Sequence, residues 1–126
     1  MSRNVHCSVC DYEYTHILGT IQVKDNDDYQ TTELIINQVH SIPAKVKYKF
    51  RSQGNFHMLF RCEDGHFFIK SFDGHKGIVV VDDNPLMEEL AEYLNKVYEN
   101  QKKLTLSIDY ELLGNIDKFL KLKQID

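Results

Sequence analysis

Phe56-His57-Met58-Leu59-Phe60-Arg61-Cys62-Glu63-Asp64-Gly65-His66-Phe67-Phe68-Ile69-Lys70-Ser71-Phe72 holds two apolar, aromatic-rich runs around a short polar link. Runs of this length and composition predict strands over 56–61 and 67–72. The link Cys62–His66 is too short for a helix and holds a glycine, so it reads as a turn between them. The strand pattern continues on both sides. Upstream, Val46, Tyr48 and Phe50 alternate with Lys45, Lys47, Lys49 and Arg51, which puts the two sets on opposite strand faces. Ser52-Gln53-Gly54-Asn55 then reads as a turn. Nearer the N-terminus, Ile17, Gly19, Ile21 and Val23 predict a strand over 17–24, and the β-branched run 31–39 a second. Ser41-Ile42-Pro43 is expected to interrupt that second strand, because proline cannot donate to a ladder. Downstream, Asp73-Gly74-His75-Lys76-Gly77 is a turn and 78–81 a short apolar strand.

The period changes after residue 83. Asp83 or Asn84 can cap a helix, with Pro85 suited to its first position. Leu86, Leu90, Leu94 and Val97, joined by Met87, Ala91 and Tyr98, recur at helical spacing. Acidic residues come early and lysines late, as the helix dipole favours. Leu104, Leu106 and Ile108 alternate briefly as an edge strand. Asp109 can cap a second helix with a stripe of Leu112 or Leu113, Ile116, Phe119 and Leu120. The expected fold is α+β. It is an antiparallel β-sheet of about five to seven strands followed by a C-terminal helical pair. Residues 1–126 form one domain, with a metal-binding β-rich part at 1–83 and a helical tail at 84–126.

A chain of 126 residues with 42% hydrophobic and 27% charged residues suits one globular domain. A net charge of -4 argues against a protein that coats polyanions. The opening Met1-Ser2-Arg3-Asn4-Val5-His6-Cys7 lacks the apolar run of a signal peptide, and no stretch has a membrane span's length, so a cytoplasmic protein is expected. In that compartment clustered cysteines more often bind metal than pair as disulfides. The three cysteines are also an odd number for pairing.

Cys7-Ser8-Val9-Cys10 has the C-x2-C spacing that lets two thiolates reach one tetrahedral ion from a single turn. Cys62-Glu63-Asp64-Gly65-His66 supplies C-x3-H, with Gly65 free to take the backbone angle that turns His66 back. The expected site is therefore Zn2+ held by Cys7, Cys10, Cys62 and His66. His16 and His75 compete with His66 and otherwise stand as supporting residues behind the ligands; His6 is a weaker competitor. The gap of roughly fifty residues between halves exceeds usual ribbon spacing, so the intervening strands must bring Cys62 home. The plainer reading is three ordinary buried cysteines. A thioredoxin-like pair is disfavoured, since no helix follows Cys10.

These motifs resemble those of small, mostly uncharacterised zinc-ribbon-like proteins of phages and bacteria. That group shows C-P-x-C-G-x-x-Y-x-H, then F-x-C-E-x-G-H-x-F, then H-K-G. The counterparts here are Cys7–His16, Phe60–Phe68 and His75-Lys76-Gly77. Ser8 replaces the proline, and Asp11 replaces the glycine after the second cysteine; aspartate tolerates left-handed backbone angles better than most residues. The resemblance spans the first two-thirds of the chain. It implies a zinc site and a phage or prophage origin, and no particular activity.

Three functions are weighed on these grounds. The first is a zinc-stabilised interaction protein with a protein partner, such as a host protein in the host cytoplasm. Its helical tail would make the contact, or a homodimer, through a stripe wider than docking on a small sheet requires. The second is nucleic-acid binding through Lys45, Lys47, Lys49 and Arg51, with Arg61 as an extension of that stripe, against the plainer reading of a solvated strand face. The third is a metal-dependent hydrolase. A site with three thiolates suits structure better than Lewis-acid work, and no H-E-x-x-H, G-x-S-x-G or phosphate loop is present.

Overall fold

A computed structural model describes residues 4–26, 31–44, 55–75, 78–82, 84–101 and 107–123. Its strands are β1 (Thr15–Asn26), β2 (Thr31–Ile36), β3 (His40–Ala44), β4 (Asn55–Cys62), β5 (Phe67–His75) and β6 (Ile78–Asp82), followed by helices α1 (Pro85–Val97) and α2 (Tyr110–Leu122). The strands form one sheet in the order β3-β2-β1-β4-β5-β6, and every pairing is antiparallel. The α+β class and the order of sheet before helices are as the sequence predicts. No helix among the described residues is long and apolar enough to cross a membrane.

β1 is the hinge of the sheet. Its first half pairs with β4 and its second half with β2. The β1–β4 register slips between Ile17 and Gly19, leaving Leu18 as an extra residue. The bulge moves the strand's alternation by one position. Leu18 is therefore buried and Ile17 is 56% exposed, which corrects the expectation that Ile17 shares a face with Ile21 and Val23. Gly19 sits against the β2–β3 turn. A Cβ there would land on Asn37 Oδ1 and stand 2.5 Å from Ile108 Cδ1.

Ser41-Ile42-Pro43 does not break the strand pattern; it forms the edge strand β3. Asn37 and Gln38 take positive φ of 52 and 64°, and Val39 N–H closes the turn on Ile36 C=O at 3.1 Å. Two left-handed residues give the turn that matches strand twist in a hairpin. Proline is tolerated in β3 because this strand is an edge. Of the brief strand expected over 104–108, Leu104 and Leu106 lie outside the described residues. Ile108 belongs to no strand and packs against the core.

The helices start where their caps predict. The Asn84 side chain accepts from Met87 N–H at 3.1 Å and Asp109 from Leu112 N–H at 2.8 Å. Met87, Leu90, Leu94 and Tyr98 of the first helical segment, and Leu112, Ile116, Phe119 and Leu120 of the second, join Ile21, Leu34, Leu59 and Phe67 in one core. The apolar stripe on which a tail-borne contact was expected is thus buried on the sheet; only Val97, at 37% exposure, is open. The other sheet face carries a smaller core of Cys7, Phe60, Cys62 and Phe68, with Val5, Tyr12 and Met58 against it. Phe60 and Phe68 are cross-strand partners whose rings stack at 4.9 Å.

Candidate metal centre

The N-terminal half of the centre is a turn held by backbone bonds. Cys7 N–H donates to Tyr12 C=O and Asp11 N–H to Cys7 C=O, each at 2.9 Å. Val9 N–H points at Cys7 Sγ at 3.3 Å, the kind of bond that steadies a thiolate. Asp11 closes the turn at φ 63°, the left-handed angle its replacement of glycine calls for.

The second half is the β4–β5 turn. Cys62 N–H donates to His66 C=O at 3.0 Å and Gly65 N–H to Cys62 C=O at 2.9 Å. Gly65 has φ 93°, where a side chain is strained, and this brings His66 back over Cys62. Glu63 N–H donates to Tyr14 C=O at 3.0 Å, which ties the turn to the segment entering β1. Thr15 opposite Cys62 in the ladder then carries Cys7 and Cys10 to the same end of the sheet.

Cys7, Cys10, Cys62 and His66 bring one donor atom each to within 4.8 Å of one another and could hold a metal ion. Cys10 Sγ is 3.8 Å from Cys62 Sγ, and Cys62 Sγ is 3.5 Å from His66 Nδ1. A tetrahedral ion with Zn–S of about 2.3 Å and Zn–N of about 2.05 Å sets these edges at about 3.8 and about 3.6 Å. Both distances fit. No disulfide links the three cysteines; Cys7 and Cys62 are buried and Cys10 is exposed. Burial, the largest influence, pushes the Cys62 thiol up to about 11, against the lowering effect of backbone hydrogen bonds at His66 and Asp64. A metal ion must therefore expel a proton from Cys62 as it binds.

The competing histidines sit elsewhere. His16 Nε2 meets Glu63 Oε1 at 3.3 Å, so it supports the ligand-bearing turn from outside. His6 Nδ1 lies 3.0 Å from Asp11 C=O, bracing the other turn. His75 ends β5, the far end of the strand from His66, and its side chain lies outside the described residues. So do Lys45, Lys47, Lys49 and Arg51.

Arg61 is the residue that sequence reading misplaced. Taken as an extension of a solvated basic stripe, it is 1% exposed. Alternation puts it on the helix-facing side of β4, opposite Phe67. Its guanidinium carbon lies 4.5 Å from the centre of the Phe67 ring and 5.6 Å from that of Tyr98. Nε–H donates to Gly65 C=O at 3.2 Å, and buried Nη1 has no hydrogen-bond partner. Burial lowers the hold on its proton, while Tyr98 and Cys62 raise it. Only the strand's alternation could have hinted at this, since Arg61 shares a face with Leu59 two residues before it.

The chain matches no family model, and no curated protein and no solved structure matches it.

Proposed function

We propose that the chain is a small zinc-binding protein whose ion is structural and whose business is binding another protein. The supporting observation is the donor geometry, with edges of 3.8 and 3.5 Å between sulfur, sulfur and imidazole nitrogen. Four protein donors complete a tetrahedron, the pattern of structural rather than catalytic zinc, which keeps one position open for water. A soft, thiolate-rich set also favours zinc over harder ions. Binding energy at such a site is folding energy, and it ties the N-terminal turn to the β4–β5 hairpin. The resemblance to zinc-ribbon-like proteins of phages and bacteria is the ground for a phage or prophage origin, and a host protein is the partner proposed on that origin.

Purified protein is expected to carry about one zinc per chain. Cys62→Ser should lose it and loosen the N-terminal turn, while His16→Ala should keep it. Metal analysis of the three proteins, with capture of a host protein in the presence and absence of chelator, checks both levels. Metal-free, fully folded wild type from zinc-replete cells would end the zinc reading. Partner capture indifferent to the chelator would separate the partner from the site.

A further inference from the structure

Arg61 poses a problem that the fold alone does not solve. A guanidinium stays charged, and burying one without a carboxylate is costly. Among the described residues no acidic side chain pairs with it, and its buried Nη1 has no partner. The aromatic faces of Phe67 and Tyr98 offset part of that cost. They do not supply a counter-charge.

The neighbouring centre can supply one. A divalent ion with three thiolates and a neutral imidazole keeps one net negative charge. Arg61 directly precedes the ligand Cys62, and its Nε–H holds Gly65 C=O at 3.2 Å, inside the turn that carries Cys62 and His66. A Cβ built on Gly65 would stand 3.8 Å from Arg61 Nη2, so the fork lies against that turn. The aromatic residues around it keep water out, which strengthens the attraction.

We propose that Arg61 is the counter-ion of the metal centre, a buried positive charge that makes the thiolate-rich site bind its ion more tightly. This rests on the zinc reading above. Without the ion, Arg61 has no counter-charge among the described residues. With the ion bound, the charges balance across the β4 backbone. The buried arginine therefore favours the loaded protein over the empty one, and its cost is borne by the empty form.

The test compares wild type, Arg61→Met and Arg61→Lys for zinc affinity, by competition with a chromophoric chelator, and for thermal stability with and without zinc. Methionine is unbranched and flexible, carries no charge, and suits an aromatic slot. Arg61→Met should bind zinc on the order of tenfold more weakly, a loss of about 1.4 kcal/mol in binding. Its metal-free form should melt at or above the wild-type temperature, so that only the zinc-dependent rise shrinks. Arg61→Lys, which keeps the charge without the fork, should retain zinc affinity closer to wild type. Equal loss of stability in the loaded and empty forms of Arg61→Met would make Arg61 a packing residue and overturn the proposal. So would wild-type zinc affinity in Arg61→Met, or lysine and methionine variants that bind zinc equally weakly. A wild type that takes up no zinc removes the zinc reading itself, and the wild-type titration reports that separately.

Discussion

At Gly19 a single methyl group meets two elements at once. Its Cβ would strike Asn37 Oδ1, which is already engaged with Thr20 N–H at 2.9 Å, and Ile108 Cδ1. Gly19→Ala should destabilise the protein by about 1–3 kcal/mol, as overpacking does; thermal denaturation checks it, and an unchanged midpoint would mean the turn yields freely. His57 is a different kind of residue-scale device. It is 1% exposed, its Nδ1 lies 2.7 Å from Ser71 Oγ, and burial lowers its ionisation from 6.5 to about 4. A folded-state value below the unfolded one stabilises the protein above pH 6.5, and the contribution fades as pH falls from 6.5 through 4. The loss should be on the order of 3 kcal/mol. Urea midpoints of wild type and His57→Gln over that range test it: the difference between the two should narrow as the pH falls, because only the wild type loses this contribution.

At the scale of elements, one amide ties α1 to the backbone of the sheet beside the packing of its apolar face. Asn95 Oδ1 accepts from Phe67 N–H at 2.6 Å and its Nδ2 donates to Phe67 C=O at 3.0 Å. Among the described residues β6 pairs no further back than Ser71, and Phe67 has no neighbouring strand on that side. The side chain stands in for one. Asn95→Ala should leave both groups unpaired, at a cost of about 1–3 kcal/mol, and speed amide exchange at Phe67; unchanged protection there would refute the contact. The same element carries Arg61's aromatic slot, since Phe67 packs on Tyr98 at the helix end at 5.1 Å. Asn115 Nδ2 in turn donates to Tyr98 Oη at 2.9 Å, which binds α2 into the same arrangement.

For the whole molecule, the helical tail and the cysteine-bearing side share one sheet that carries a core on each face, rather than standing as scaffold and accessory. The helices fill the face of the sheet opposite the metal-side cluster. β4 and β5 contribute Leu59, Arg61 and Phe67 to the helix side and Phe60, Cys62 and Phe68 to the other. Removing everything after Asp83 would expose the first set while leaving the ligands in place. Such a fragment should fail to fold even with zinc. The dispersion of its amide spectrum with and without zinc checks this, and a well-dispersed, zinc-loaded fragment would show that the metal half stands alone.

Much of this was written in local chemistry. The Cys7–Cys10 and Cys62–His66 spacings, Gly65 at its turn, the caps Asn84 and Asp109, and the period of the helices all act over a few residues. The sequence alone therefore determined the sheet-then-helices order and nominated the four metal-site residues. What it left open depended on partners distant along the chain. Ile17 and Leu18 exchange places because β4 imposes a bulge on β1. Ser41-Ile42-Pro43 forms a strand because β2 offers it an edge, where a missing N–H does no harm. Arg61 looked like surface charge until the helices covered its side of β4. Only the tertiary structure could show which histidine stands beside the three cysteines, since that proximity is set across two turns. The physical reason is common to all these cases: propensity and spacing act along the chain, whereas burial and donor geometry arise only when distant segments meet.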